Sequence, residues 1–354
     1  MPLKTSVSLF LCALTPALFA PALAQDKNGL ARPNWDRVLA LQSAALGDHD
    51  LHRQEWLRQL RSGDYEAVLQ SIKQFSAANE PSAPAREQQL FLFATALADF
   101  PAEQVPAPLL EFLASYSPQT LVAHEESVNH AVALFNIPAA ARGVRTEFTR
   151  QRAESHAAAM LTGPAEIWIG DYLDASPDAR AGFLAALDLA PDAQLRELGR
   201  TARGLLADEP DLTGVAGHSA LAMSDVQSMR HVLELGGGSD VTSMLRSAAG
   251  ALSNDDRAEL LLASIESAPP QNAALAIALL SPGLQAVPQI TGALFDLLDD
   301  PQIGSAAALA LARFDESGIR SQLLQLSGST GPAATRARMA VNLMESEAMQ
   351  GTQQ

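Results

Sequence analysis

Apolar residues recur at spacings of three and four along most of the chain, the period of an α-helix that turns one face to a core. Between Asp64 and Ala77 the residues Tyr65, Val68, Leu69, Ile72 and Phe75 form one stripe, and Asp64 stands where an N-cap belongs. From Ala85 to Phe100, Leu90, Phe91, Leu92, Phe93, Ala94, Leu97 and Ala98 surround the axis, which predicts a buried helix. A long helix is expected from Pro138 to Met160, with Val144 and Phe148 on its inner side. Helix starts are expected where Ser or Asp precedes Pro, at Ser117-Pro118, Ser176-Pro177 and Asp300-Pro301, and Ser253 with Asp256 resembles a capping box. Strand-like alternation is short; its best case, Ala165 to Ile169, suits a helix edge equally well. The expected fold class is all-α.

The last hundred residues repeat. Leu260, Leu261 and Ala263 match Leu294, Phe295 and Leu297 at an offset of 34, and Ala273-Ala274-Leu275-Ala276 matches Ala307-Ala308-Leu309-Ala310 at the same offset. A third unit at an offset of 29 places Leu323, Leu324 and Leu326 over the same positions; its second helix, Ala333 to Met344, matches least well. Two helices that shift together at this period mark a solenoid. The second helix of a unit, with Ile303, Ala307, Ala310 and Phe314 in one stripe and Ala306, Leu309 and Leu311 around it, has to lie between neighbours.

Leu294 to Leu311, with its leucine-rich helix, Asp300-Pro301 turn and alanine-rich helix, resembles a HEAT repeat, and the likeness runs from Ser253 to Ser346. It departs from that family at Gly304, where an arginine commonly follows the aliphatic residue. The resemblance implies an α-α superhelix of stacked helical hairpins. Asp208-Glu209-Pro210-Asp211 with Gly214 and Gly217 reads as a break. The expected organisation is a signal peptide over 1–24, an N-terminal helical domain over 25–207, a linker over 208–223, HEAT-like repeats over 224–346 and a disordered tail over 347–354. Gly236-Gly237-Gly238 separates two helices as a C-cap and turn. The N-terminal helices are compatible with a separate bundle or with more of the superhelix.

The signal is read from Lys4, the apolar run Val7 to Leu23 and Ala22-Leu23-Ala24 before Gln25. It predicts a soluble, periplasmic chain with no integral membrane segment. Cys12, the only cysteine, lies within it, so the mature chain would have none and its core would hold the fold unaided. Leu9-Phe10-Leu11 before Cys12 argue against a lipoprotein signal. Without Lys4 the 24 basic residues fall to 23 against 40 acids, a net −17, which disfavours nucleic acid and anionic membrane surfaces. The hydrophobic content of 47% with only 5% aromatics predicts a core of Ala and Leu.

Candidate chemistry is sparse. His124 and His130 lie six apart, and on a helix about 240° would separate them, against the four-residue spacing of a zinc helix. Gly217-His218-Ser219-Ala220-Leu221 holds half of a nucleophile elbow, with Leu221 in place of its final glycine. No glycines precede Lys73, so a phosphate loop is not indicated, and Asp171, Asp174 and Asp178 lack the alternation of a calcium loop. Neither a metal nor a cofactor is expected. Arg142, Arg145, Arg152 and His156, with Thr149 between them, line one basic stripe that would bind a partner or pair with the protein's own carboxylates. The reading that follows is a non-catalytic binding or scaffolding protein that holds a protein partner. Its alternatives are an enzyme using carboxylates such as Glu125, Glu126 or Asp171, and a self-assembling structural protein.

Overall fold

The computed structural model describes residues 33–45, 50–314 and 316–351. The expected signal segment, with Cys12 and the cleavage site, lies outside them. The fold is all-α, with 18 α-helices and one two-stranded hairpin among the described residues. No described helix is long and apolar enough to cross a membrane. The chain divides into two compact units, Met1–Ala94 with Glu111–Ala140, and Thr95–Leu110 with Ala141–Gln354.

The first unit draws on α1 (Arg37–Ala45), α2 (Asp50–Arg61), α3 (Tyr65–Ala77), α4 (Ala83–Ala96), α5 (Ala107–Ala114), β1 (Leu121–His124) and β2 (Ser127–Ala133). Asp64 caps α3 as expected, accepting the Ala67 N–H, and Val68, Ile72 and Phe75 are buried. Trp56 on α2 is fully buried, edge-on to Phe75 at 5.1 Å and Phe93 at 5.4 Å, and its indole N–H donates to Ser71 Oγ at 2.9 Å. The helix expected to be apolar all round is α4, but it also buries Arg86, Glu87 and Gln89. Glu87 accepts the Thr120 N–H at 3.0 Å, the Gln119 N–H and the Tyr116 hydroxyl at 3.3 Å, so one carboxylate holds the irregular segment that leads into β1. Burial, with Glu87 adding to it, pushes the Tyr116 phenol up to about 12.

That segment corrects the expected helix start at Ser117-Pro118, since no helix begins there and β1 follows at Leu121. Proline has no N–H to give a ladder and biases the residue before it toward extended backbone, so it serves a strand entry as readily as a helix start. The antiparallel hairpin pairs Val122 with Val132 and Ala123 with Ala131, and its register slips between Ala123 and His124.

The second unit holds most of α6 (Ile137–Met160), then α7 (Ala165–Asp174), α8 (Pro177–Ala186), α9 (Asp192–Leu205), α10 (Thr213–Ala222), α11 (Val226–Leu235), α12 (Gly238–Ala251), α13 (Asn254–Ser267), α14 (Pro270–Leu280), α15 (Pro288–Asp296), α16 (Gly304–Ala312), α17 (Ser317–Ser327) and α18 (Pro332–Gly351). Helices α8, α10, α12, α14, α16 and α18 form one row, each touching the next; α7, α9, α11, α13 and α15 form a second. Hairpin partners such as α9 with α10, α13 with α14 and α17 with α18 join the rows. The arrangement is compatible with a helical-repeat fold. The starts of α13 and α14, Asn254 and Pro270, recur 34 positions on at Pro288 and Gly304, the offset read from the sequence. Leu260, Leu294 and Leu323 are fully buried at equivalent points of α13, α15 and α17, in a core continuous from Ala153 to Val341.

Later hairpins close earlier ones. Asn272 on α14 donates through Nδ2 to the carbonyls of Leu233 and Gly236 at 2.8 and 2.9 Å, capping the end of α11. Arg336 on α18 donates to the Leu298 carbonyl at 2.7 Å. Gly304 makes room for it, since a Cβ there would lie 2.5 Å from Arg336 Nη1. The guanidinium that bridges these repeats therefore comes from the hairpin after Gly304. Gln194 on α9 similarly donates to the Gly163 carbonyl at 3.1 Å, beyond the end of α6.

Three expectations about domains are corrected. The linker expected over 208–223 is a 3₁₀ turn at Pro210–Leu212 and helix α10, with Leu212, Val215, Ala216 and Ala220 in the continuous core. Its glycines are contact residues: a Cβ on Gly214 would come within 2.9 Å of Leu184 Cδ1 and of Asp240 Oδ2, and one on Gly217 within 3.2 Å of Met244 Sδ. The N-terminal domain expected over 25–207 is divided, because α7, α8 and α9 share the core of the repeats. The tail expected over 347–354 is helical to Gly351, and 352–354 lie outside the described residues.

Candidate functional site

Helix α6 carries the expected basic stripe on a solvent-facing side. Ala141, Val144 and Phe148 are buried on other faces, and Arg142, Arg145, Arg152 and His156 are exposed. Arg150, off the stripe, takes the carboxylates of the same helix, bonding Glu147 at 2.6 Å and Glu154 at 2.9 Å. Arg142 and Arg145 are left with no ion pair among the described residues. Arg152 reaches the Ala102 carbonyl at 3.4 Å, a long contact, and His156 lies 3.1 Å from Asp171 on α7. The stripe thus has internal partners at one end and water at the other.

Arg152 also borders a groove of about 630 Å³ between α6 and the turn after α4, lined by Asp99, Phe100, Pro101, Glu103, Gln151 and Glu154. No local pattern marks it, because the groove joins segments about 50 residues apart. Its lining sets three carboxylates against one guanidinium in an open setting, which suits polar contact more than acid–base chemistry.

The two histidines lie on the hairpin and not on a helix, so the helical separation does not apply. Their rings stand nearly perpendicular with centroids 6.4 Å apart, and His124 Nδ1 accepts the Glu126 N–H at 3.2 Å. Among the described residues no three His, Cys, Asp or Glu side chains gather where they could hold one ion. Glu125 is highly exposed and paired with Arg37 at 2.7 Å, while Asp171 belongs to the other unit. Ser219 is buried within helix α10, where its Cβ would meet a Cβ on Gly199 at 2.8 Å, a setting unlike a strand-to-helix elbow.

A cluster around Arg180 was not legible in the sequence. Its guanidinium donates to the Tyr172 carbonyl at 3.1 Å and the Leu173 carbonyl at 2.6 Å, pairs with Asp211, and lies 5.5 Å from the Tyr172 ring centroid. The Tyr172 hydroxyl donates to the Asp211 carbonyl at 3.1 Å, and burial pushes that phenol up to about 12. Burial also raises the Asp240 carboxyl, with Asp211 adding to the effect. Arg180 thereby caps α7 and ties it to the turn before α10, a structural duty.

His218 on α10 is largely buried, which pushes its imidazole below the usual range; Asp188, 3.2 Å away but mostly in water, pulls weakly the other way. Burial prevails, because the Asp188 charge is screened. The folded chain therefore binds fewer protons here than the unfolded chain. Stability from this group is present above the unfolded value of about 6.5 and lost as pH falls below it toward the folded value. Comparing urea midpoints at pH 7 and pH 5 for wild type and His218→Gln should show the smaller loss in the variant. An equal loss in both would rule His218 out as a source of acid sensitivity.

Compared with known protein families, curated proteins and solved structures, the chain matches none.

Proposed function

We propose that this chain is an exported, non-catalytic binding protein that holds a protein partner on a HEAT-like helical-repeat surface. The observation that carries the reading is the two-row stack itself. Each helix is buried by its row neighbours and hairpin partner, so one face per helix remains for contact along many successive hairpins. Such a surface suits a macromolecular partner, because recognition is spread over an area no single pocket provides. The unpaired Arg142 and Arg145 add a place where carboxylates of a partner would find guanidinium groups already free of internal bonds.

Affinity capture from cell-envelope extract tests both parts of the proposal. The captured chain should begin near Gln25 by mass, and a partner should co-purify with wild type but be depleted with Arg142→Glu/Arg145→Glu. Repeated recovery of the chain alone would remove the binding reading, and a chain retaining residues 1–24 would remove export.

A further inference from the structure

Three helices in one row of the second unit carry no charged residue, although α8, α12 and α18 of the same row do. Helices α10, α14 and α16 of one row contain no Asp, Glu, Lys or Arg, whereas α13 of the other row carries Asp255, Asp256, Glu259 and Glu266 against Arg257. In a chain with 40 acids and 24 bases, two adjacent charge-free helices, α14 and α16, need a reason. Core burial supplies part of it, because these helices lie between neighbours. It does not account for the side that faces water. There α14 presents the half-buried Leu275 and Leu279, α16 presents Leu309 at 36% exposure and α18 presents Met339 at 40%. Leu275 and Leu309 stand one repeat offset apart, at equivalent positions of helices that touch, and we read them as one ridge.

Arginines flank that ridge. Arg246 on α12, Arg313 just after α16 and Arg338 on α18 are all exposed, and among the described residues none is paired with a carboxylate. Arg338 donates only to the Ser327 carbonyl at 2.7 Å and the Thr335 hydroxyl at 3.1 Å, which orient it and leave its charge uncompensated. Elsewhere in the unit Arg150, Arg180 and Arg230 are paired with carboxylates, whereas Arg142 and Arg145 on α6 share the unpaired state of Arg246, Arg313 and Arg338.

We propose that the water-facing side of α12 to α18 docks an amphipathic helix whose polar side is rich in Asp and Glu. This deepens the binding reading above and rests on it. The apolar side of such a helix would cover Leu275, Leu309 and Met339, and its carboxylates would meet Arg246, Arg313 and Arg338. The charge pattern would also select against a basic helix, which would meet like charges, and would speed encounter at low salt.

The test uses the mature full-length chain and two fluorescein-labelled helical peptides, one of Leu, Ala and Glu in amphipathic order and one with every Glu replaced by Lys. Anisotropy should show saturable binding of the acidic peptide, weakened by salt and by about tenfold or more in Leu309→Glu and in Arg246→Glu/Arg338→Glu, with the basic peptide bound far more weakly. Equal binding of both peptides, or no effect of either variant, would overturn the proposal. The arginine variant alters only exposed side chains, so it decides the matter if Leu309→Glu fails to fold by circular dichroism. Light scattering belongs to the same test: a dimer converted to monomer by Leu309→Glu would assign the ridge to a second copy and overturn the proposal. An envelope partner that Leu309→Glu still captures as well as wild type does would reject this face while leaving the binding reading intact.

Discussion

Gly182→Val is expected to destabilise the second unit severely, by about 3 kcal/mol or more, with Gly182→Ala costing somewhat less. A Cβ at this position on α8 would lie 2.1 Å from the Arg150 carbonyl oxygen, 2.8 Å from the Glu154 nitrogen and 2.9 Å from the Ala153 Cβ, all on α6. Two of those atoms are backbone, so no rotamer change relieves the clash and the helices have to separate. Separation would open the aromatic group beside it, where Phe183 stands edge-on to Trp168 at 5.0 Å and both rings are buried. Gly143→Ala provides the contrast. It also lies on α6, nothing stands within 4 Å of its Cβ direction, and alanine there should stabilise by about 0.5–1 kcal/mol through helix propensity. Urea midpoints that moved in the same direction for both substitutions would contradict the close approach of α8 to α6.

Removing the buried carboxylate of α4 should have an effect of similar size in the first unit. Glu87→Ala leaves the Gln119 and Thr120 N–H groups and the Tyr116 hydroxyl without their acceptor, in a place where Glu87 has no solvent exposure. Losing one partner of a buried charged group costs about 3–5 kcal/mol. Glu87→Gln keeps the shape and one carbonyl oxygen, so it should fall between wild type and alanine. The specific readout is amide hydrogen exchange at Gln119 and Thr120, which should accelerate more than exchange in α3. Unchanged protection at both amides would show that Glu87 does not hold this segment.

The repeat was legible because it leaves a double record: two helices shifted together by 34 positions, with Leu260 and Leu294 buried at matching points. The basic stripe on α6 was legible for a related reason, since residues three and four apart on an isolated face stay neighbours whatever lies behind them. The hairpin was not. Only Val122 of β1 is buried while its other residues are half-buried, so there was little alternation to detect, and Glu125-Glu126 carries none of the glycine or asparagine that announces a tight turn. Gly214 and Gly217 misled because a glycine that loosens a linker and one that admits a neighbouring side chain look alike in a sequence. The difference resides in Leu184 and Met244, each about 30 positions away.

The caps supplied by Asn272 and Arg336 give the stack a direction. Each donates backward, to carbonyls that end a helix of the preceding hairpin, so the hairpins of α11 and α15 stay open at one end until their successors arrive. Shortening the chain at Phe314 would strip the donor from Leu298 and expose an end that the full chain keeps closed. Damage from such a cut would spread upstream, and α18 is therefore the latch on which the terminal repeats depend.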